Sequence, residues 1–403
     1  MYSQSSFPRN SHRGKKFKSK PQKNRSFQGG KKRGPVGTFN PKDIINNTLP
    51  SQTREEKFIP KHKFSDFQVD EDLKRNIVQK GYTSPSPIQD ESIPHILEGK
   101  DIIGIANTGT GKTAAFLIPL IHKVLQDRTQ KVLIVTPTRE LAIQIQEEFI
   151  AFSRSMNTQS ILIIGGVNAF HQKRALKQPF NFVVGTPGRI KDLIKSNNLN
   201  LSQFRNIVLD EADHMVDIGF IQDIKFIISL LPEKRQSLFF SATIDRKVQE
   251  IINQFVKNPI TISVKKSETT HNINQKVIKT ITQNKKIEQL HEVLIKSEFE
   301  KVIIFGRTKH GIQKLSNELV YRGFKAGAIH GNKSQNQRQR TLKEFKHNVI
   351  NILLATDVAS RGLDIDNVSH VINYDMPATY EDYIHRIGRT GRANKKGVAL
   401  TFV

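Results

Sequence analysis

Two short segments of the 403-residue chain combine residue types and spacings suited to phosphate chemistry. The first, Ala106-Asn107-Thr108-Gly109-Thr110-Gly111-Lys112-Thr113, follows the apolar run Ile102 to Ile105 and precedes a helical apolar pattern that begins at Ala114. This is the setting of a phosphate-binding loop. Its glycines let backbone N–H groups converge on phosphate oxygens at a helix N-terminus, Lys112 reaches the β and γ phosphates, and the Thr113 hydroxyl can ligate Mg²⁺. Ala106 stands where the general pattern has glycine, a departure at its first position. In the second segment, Ile207-Val208-Leu209 runs into Asp210-Glu211-Ala212-Asp213. A carboxylate at the C-terminal edge of a parallel sheet would lie beside the phosphate loop, so Asp210 can hold Mg²⁺ through water. Glu211 is then placed to orient or deprotonate an attacking water, the step that phosphoanhydride hydrolysis needs. Taken alone, an acidic quartet is more often a solvated turn or a helix cap, and the phosphate loop upstream reverses that preference.

The elements that must carry these segments are visible as short Ile- and Val-rich runs separated by stretches long enough for helices. One series comprises Ile102 to Ile105, Val132 to Val135, Ile161 to Ile164, Phe182 to Val184, Ile207 to Leu209, Leu238 to Phe240 and Ile260 to Val264. A second comprises Val302 to Phe305, Ala326 to Ile329, Ile352 to Leu354, Val371 to Tyr374 and Val398 to Val403. Continuous apolar runs suit strands buried on both faces, hence parallel sheets covered by helices, an α/β class. The polar stretch 265–272 between the series is the expected flexible linker. It divides a first domain, 64–264, from a second, 273–403.

Charge and composition narrow the partners. The chain has 63 Lys and Arg against 37 Asp and Glu, a net +26, which points to a polyanion, most often nucleic acid. Residues 1–63 hold 16 of the basic residues and 3 of the acidic ones. That segment has too little apolar surface to offset its ordering entropy and reads as a disordered basic arm. Phe7, Phe17 and Phe27 among its cations can stack on exposed bases, or the arm is a solubilising tail. The absence of cysteine excludes disulfides, thiolate metal sites and a cysteine nucleophile, and it fits a reducing compartment. No run approaches the length of a membrane span, and no apolar leader follows Met1, so the expectation is a soluble, cytoplasmic protein.

Read in order, the motifs resemble those of the DEAD-box ATP-dependent RNA helicases. They are Gly81 to Gln89, the phosphate loop, Pro137-Thr138-Arg139-Glu140-Leu141, Thr186-Pro187-Gly188-Arg189, Asp210 to Asp213 and Ser241-Ala242-Thr243. In the second half stand Val302 to Thr308, Gln335 with Arg338, Ala355 to Asp364 and His385 to Arg392. The resemblance covers about Phe64 to Val403, and Asp213, rather than His, separates it from the related DEAH group.

The resemblance implies two RecA-like domains that bind ATP with Mg²⁺ in the first and RNA across both. Phe64 would stack on adenine and Gln89 hydrogen-bond its edge. Locally, however, Ser86-Pro87-Ile88-Gln89 is also a capping box with Pro at the first helical position, and Phe64 reads equally as a core residue. Pro137, Thr138, Arg139, Gly165, Gly166, Thr186, Pro187, Gly188 and Arg189 would grip RNA phosphates, joined from the second domain by Gln335, Arg338 and Thr356. Such contacts position RNA without reading its sequence. Asp364 would approach the ribose, and Arg389 and Arg392 the γ-phosphate, where arginine fingers contribute about 10³ to 10⁵ in rate in related reactions. Ser241 and Thr243 would hydrogen-bond the Asp210 to Asp213 segment, linking nucleotide state to RNA grip through Asp213. Domain closure would complete the hydrolytic site and pry short duplexes apart locally. Two departures stand out: Ser360 replaces the usual Ala, and the chain ends at Val403 in a strand, which suggests a fragment whose last strand exposes apolar surface. A non-catalytic RNA clamp and a DNA-directed motor are the rival readings, disfavoured by the intact Lys112, Glu211 and RNA-side motifs.

Overall fold

The computed structural model describes residues 58–264, 272–280, 282–296, 299–360, 365, 368–391 and 396–403. The basic arm up to residue 57, the linker 265–271, and the expected site residues Asp364 and Arg392 lie outside them. Seven strands form the first sheet: β1 (Ile102–Ala106), β2 (Lys131–Val135), β3 (Ser160–Ile163), β4 (Phe182–Gly185), β5 (Phe204–Leu209), β6 (Gln236–Ser241) and β7 (Ile260–Val264). They pair in parallel in the order β3-β4-β2-β5-β6-β1-β7. Successive residues feed opposite cores. Ile102, Val132, Ile134, Leu238 and Phe240 pack on one face with Phe116 and Phe149, while Ile103, Leu133, Val135 and Phe239 pack on the other with Ile251 and Phe255. Burial on both sides is why these strands read as unbroken apolar runs.

The second sheet contains β8 (Ile273–Ile278), β9 (Val302–Phe305), β10 (Ala326–Ile329), β11 (Ile352–Ala355), β12 (His370–Asn373) and β13 (Gly397–Phe402), all parallel, in the order β10-β11-β9-β12-β13-β8. Strand β8 differs from the expected series. It lies at the sheet edge, and the consecutive polar residues Asn274, Gln275 and Lys276 separate Ile273 from Val277 and Ile278, so it lacks the run that marks a strand covered on both faces. Strand β13 is an inner strand between β12 and β8, with Ala399, Thr401 and Phe402 buried, so the exposed apolar surface expected of it is not found. At the other end, the backbone N–H groups of Lys61 and His62 donate to the Asp90 carboxylate at 2.8 and 3.0 Å, fastening residues that had been read as the end of the arm.

Strand order decides what the loops can do together. The phosphate loop, the acidic quartet and Ser241 follow or end β1, β5 and β6, which are neighbours. The three segments expected on RNA follow β2, β3 and β4, the neighbouring trio at the other end of the sheet. In parallel sheets these carboxyl ends share one edge, so the segments expected on phosphate and those expected on RNA stand along a single rim.

Gly104, at the middle of β1, tests this packing. A Cβ there would meet Phe240 Cδ1 at 2.5 Å, and Phe240 is fully buried against Phe116, with ring centroids 5.6 Å apart. Gly104→Ala should therefore lower the unfolding free energy by about 1–3 kcal/mol through overpacking. Denaturant titration checks it, and an unchanged midpoint would mean that the aromatic pair yields freely.

Candidate functional site

Gly109 and Gly111 hold φ of 83° and 94°, left-handed values that let the phosphate loop curl before the helix Lys112–Gln126. Within the loop, the Thr110 hydroxyl donates to the Asn107 carbonyl at 2.8 Å, and Lys112 Nζ donates to the Ala106 carbonyl at 2.9 Å. Lys112 is 6% exposed, folded over the loop it serves. Gln89 closes the back. Its Oε1 accepts from the Ser86 N–H at 2.9 Å, completing the capping box, while its Nε2 donates to the Gly111 carbonyl at 3.0 Å. Phe64 is placed as the core residue that its local sequence also allowed: 6% exposed, with its ring 5.9 Å edge-on from Tyr82 and 6.0 Å from Phe67.

Opposite the loop, Asp210 and Glu211 are buried at the end of β5. Glu211 carries a φ of 52° and ψ of 51°, a left-handed conformation that costs a residue with a Cβ about 1–2 kcal/mol and aims its side chain toward the loop. The Thr108 hydroxyl donates to Glu211 Oε1 at 3.1 Å, and Nδ1 of His214 stands 3.5 Å from Oε2. Burial alone would raise the Glu211 carboxyl, but the neighbouring His214, Lys112 and Arg389 outweigh it and hold the group below the usual carboxylate range. Asp210 goes the other way. Burial pushes it up to about 7, the Glu211 and Asp213 charges add to the push, and Lys112 opposes it. A buried carboxyl with that bias is ionised readily once a cation sits beside it, which fits Mg²⁺ at Asp210 and Thr113. Among the described residues no group of three His, Asp or Glu stands ready to hold a metal ion.

Asp213 joins this centre to β6. Its Oδ2 accepts from the Ala242 N–H, the Thr243 N–H and the Thr243 hydroxyl at 3.1, 2.9 and 3.0 Å, and its own N–H donates to the Ser241 hydroxyl at 3.2 Å. The second domain also reaches in. Arg389, 5% exposed, and His385 line the same cavity as Thr108, Lys112, Glu211, Asp213, His214 and Ala242.

On the other half of the rim, the Arg139 guanidinium lies over Gly165 and Gly166, where any Cβ would collide with it. Arg189 Nη2 donates to the Val167 carbonyl at 3.4 Å. Thr138 and Thr186 are N-caps of the helices Arg139–Phe152 and Pro187–Lys195, with Pro187 and Gly188 opening the latter, so these segments present helix starts together. Gln335, Arg338 and Thr356 belong to the second domain. Gln335 Nε2 donates to Glu140 Oε1 at 2.9 Å, and Arg338 Nη2 pairs with Glu140 Oε2 at 2.9 Å. Buried and without a hydrogen-bond partner are Arg189 Nη1, Arg338 Nε and Gln335 Oε1.

Sequence reasoning missed three participants. Glu140 lay inside a quoted motif, and its sign was the signal: a carboxylate amid cations cannot face phosphate. Arg386 was passed over beside Arg389. It is 2% exposed and ties Asp357, Asn373 Oδ1 and the Asp375 carbonyl, with both its Nε and Nη2 on the Asp357 carboxylate. His214 had no pattern to announce it.

Residues 86–251 match the DEAD/DEAH box helicase family and residues 285–394 the helicase conserved C-terminal domain. The chain is 45% identical over 342 residues to the ATP-dependent RNA helicase CshA of Listeria monocytogenes, covering 85% of this chain and 66% of that one. It is 42% identical to CshA of Limosilactobacillus reuteri, covering 85% and 69%. The chain thus spans about two thirds of the length of these curated relatives. Among solved structures, Saccharomyces cerevisiae Dbp5 bound to RNA and ADP BeF3 superposes with a TM-score of 0.75 at 30% identity, covering 85% of this chain and 89% of that one.

Gln89 separates two roles. With both ends of its amide engaged, Gln89→Ala should lose about 1 kcal/mol of stability from the cap and also weaken ATP relative to GTP. Paired thermal melts and nucleotide competition check this. A lower melting temperature with unchanged ATP preference would leave Gln89 as a cap alone.

Proposed function

The chain belongs to the DEAD-box family of ATP-dependent RNA helicases, and from that premise we propose that it is an RNA-dependent ATPase whose domain closure remodels short RNA duplexes. The observation that carries this reading is the shared cavity, in which Arg389 of the second domain stands with Lys112 and Glu211 of the first. ATP would place its phosphates on the loop 106–113, with Lys112 exchanging the Ala106 carbonyl for phosphate oxygen. Mg²⁺, held by Thr113 and through water by Asp210, would neutralise phosphate charge when bound. Glu211, kept ionised by its neighbours, accepts a proton from the attacking water, and Arg389 stabilises charge on the transferring phosphoryl group.

RNA would lie along the other half of the rim, on Arg139, Gly165, Gly166, Thr186 and Arg189, and meet Gln335, Arg338 and Thr356 as the domains close. These groups offer backbone N–H, hydroxyl and guanidinium donors, so recognition is of the sugar-phosphate chain rather than of sequence. Closure on one strand is incompatible with a straight duplex of any length and releases the other strand. No helix among the described residues is long and apolar enough to cross a membrane, and we assign the protein to the cytoplasm on its cysteine-free composition and RNA chemistry. Asp364 and Arg392 keep their proposed roles at the ribose and γ-phosphate.

Two experiments test this. Lys112→Ala should abolish ATP hydrolysis, whereas Glu211→Gln should retain ATP and RNA binding and stall turnover, because Lys112 meets phosphate charge in the ground state and Glu211 acts on water. Steady-state hydrolysis with RNA filter binding decides it; normal turnover in the Gln variant contradicts the assignment. Separately, residues 1–57 carry 14 Lys or Arg against 3 Asp or Glu. A chain shortened to begin at Phe58 should keep its maximal RNA-stimulated rate but need more RNA to reach it. Each phosphate the arm neutralises contributes about 0.7 to the slope of log affinity against log salt. An unchanged slope makes the arm a solubility or docking segment.

A further inference from the structure

His214 is an uncommon residue to find unpartnered. It is 5% exposed, lines the catalytic cavity, and neither ring nitrogen has a hydrogen-bond partner. A buried imidazole left in that state is costly, so its presence asks for a use. Its neighbour supplies one. The chain places His214 three residues after Glu211, one turn along the helix Ala212–Ile218, and Nδ1 faces Glu211 Oε2 at 3.5 Å. That is at the long limit of a hydrogen bond, and catalytic contacts of this length commonly tighten in the complex with substrate.

The other carboxylate oxygen is already held, by the Thr108 hydroxyl at 3.1 Å. Thr108, however, belongs to the loop that must wrap the nucleotide phosphates, and an anchor there shares every adjustment of the loop. His214 has no such second duty. Its backbone is pinned within the quartet by the bond from its N–H to Asp213 Oδ1 at 3.0 Å, and Asp213 is itself fixed to Ala242 and Thr243. The imidazole therefore moves with the backbone that carries Glu211, and a left-handed residue at a helix start needs such support to keep one side-chain direction.

We propose that His214 is a positioning residue for hydrolysis: it holds Glu211 Oε2 while Thr108 holds Oε1, so that the carboxylate stays aimed at the attacking water as the phosphate loop adjusts to the nucleotide. The proposal rests on the reading of Glu211 as the group that activates water. Loss of an outer group that orients a reacting one commonly costs 10- to 100-fold in activity.

The test uses the full chain with ATP and a saturating single-stranded RNA. His214→Leu, which keeps the bulk and removes the nitrogens, should lower kcat by about 10- to 100-fold with KM for ATP and half-saturating RNA within about threefold, well under the tenfold of 1.4 kcal/mol. His214→Asn, whose amide nitrogen can stand near the Nδ1 position, should recover most of the rate. A Leu variant as active as the original chain overturns the proposal. So does an Asn variant as impaired as Leu with both melting temperatures lowered, which would make His214 a packing residue. Glu211→Gln, measured alongside, separates the two levels: if it turns over normally, the reading of Glu211 has failed, whereas if it is dead while His214→Leu is unaffected, only the positioning role has.

Discussion

The geometry of this molecule turns on one carboxylate. Glu140 is 5% exposed, sits at the start of a helix in the first domain among the cations Arg139 and Arg189, and is bonded at both oxygens by residues of the second domain, Gln335 and Arg338. A buried carboxylate is tolerable only when paired, and the attraction gained is largely offset by the water surrendered. Contacts through Glu140 alone would therefore add little net energy to closure of the two domains. That is the property a ligand-driven closure needs, because a ligand shifts an equilibrium only by its differential affinity for the two states. The contact also leaves work undone: Arg338 Nε and Gln335 Oε1 remain buried without partners beside it.

Strand order links that contact to the chemistry. Strands β2, β3 and β4 lead into the segments proposed to grip RNA and β1, β5 and β6 into those proposed to hold nucleotide, with β2 and β5 as the neighbours that join them. The Asp210 N–H donates to the Val135 carbonyl at 3.0 Å and the Thr136 N–H to the Gly185 carbonyl at 2.9 Å, so the two halves share one stiff backbone ladder. The second domain is stiff for a different reason. Arg386 binds Asp357, Asn373 and the Asp375 carbonyl, which ties the helix Tyr380–Ile387, two residues before Arg389, to the ends of β11 and β12. With Gln335 and Arg338 on Glu140, Arg389 lines one cavity with Glu211.

Much of this was legible in the sequence because burial writes itself as composition. Twelve of the strands announce themselves as runs rich in apolar residues, even the edge strand β7, where Thr261 and Ser263 alternate with Ile and Val, and the phosphate loop and acidic quartet carry spacings that few other structures use. Strand β8 escaped because an edge strand needs only one apolar face. The boundary of the arm was set too late because the bonds from Lys61 and His62 to Asp90 join residues whose separation no local pattern spans. Glu140 and His214 escaped for a related reason. Their meaning lies in partners, Arg338 nearly two hundred residues away in one case and a one-turn contact fixed by a left-handed backbone in the other, and neither is a property of residue type. Phe64 shows the converse: the motif marks it for adenine, and the fold packs its ring against Tyr82 and Phe67.

The most direct test of this account is a double-mutant cycle between Glu140 and Arg338, read as kcat/KM for ATP at fixed RNA. If closure through this pair brings Arg389 to Glu211, Glu140→Ala and Arg338→Ala should each be impaired and the double variant no worse than the poorer single one, a coupling of about 1.5 kcal/mol or more for a close charge pair. Losses that simply multiply, within about 0.5 kcal/mol of additivity, would show that the two residues act independently and that the domains close by some other contact.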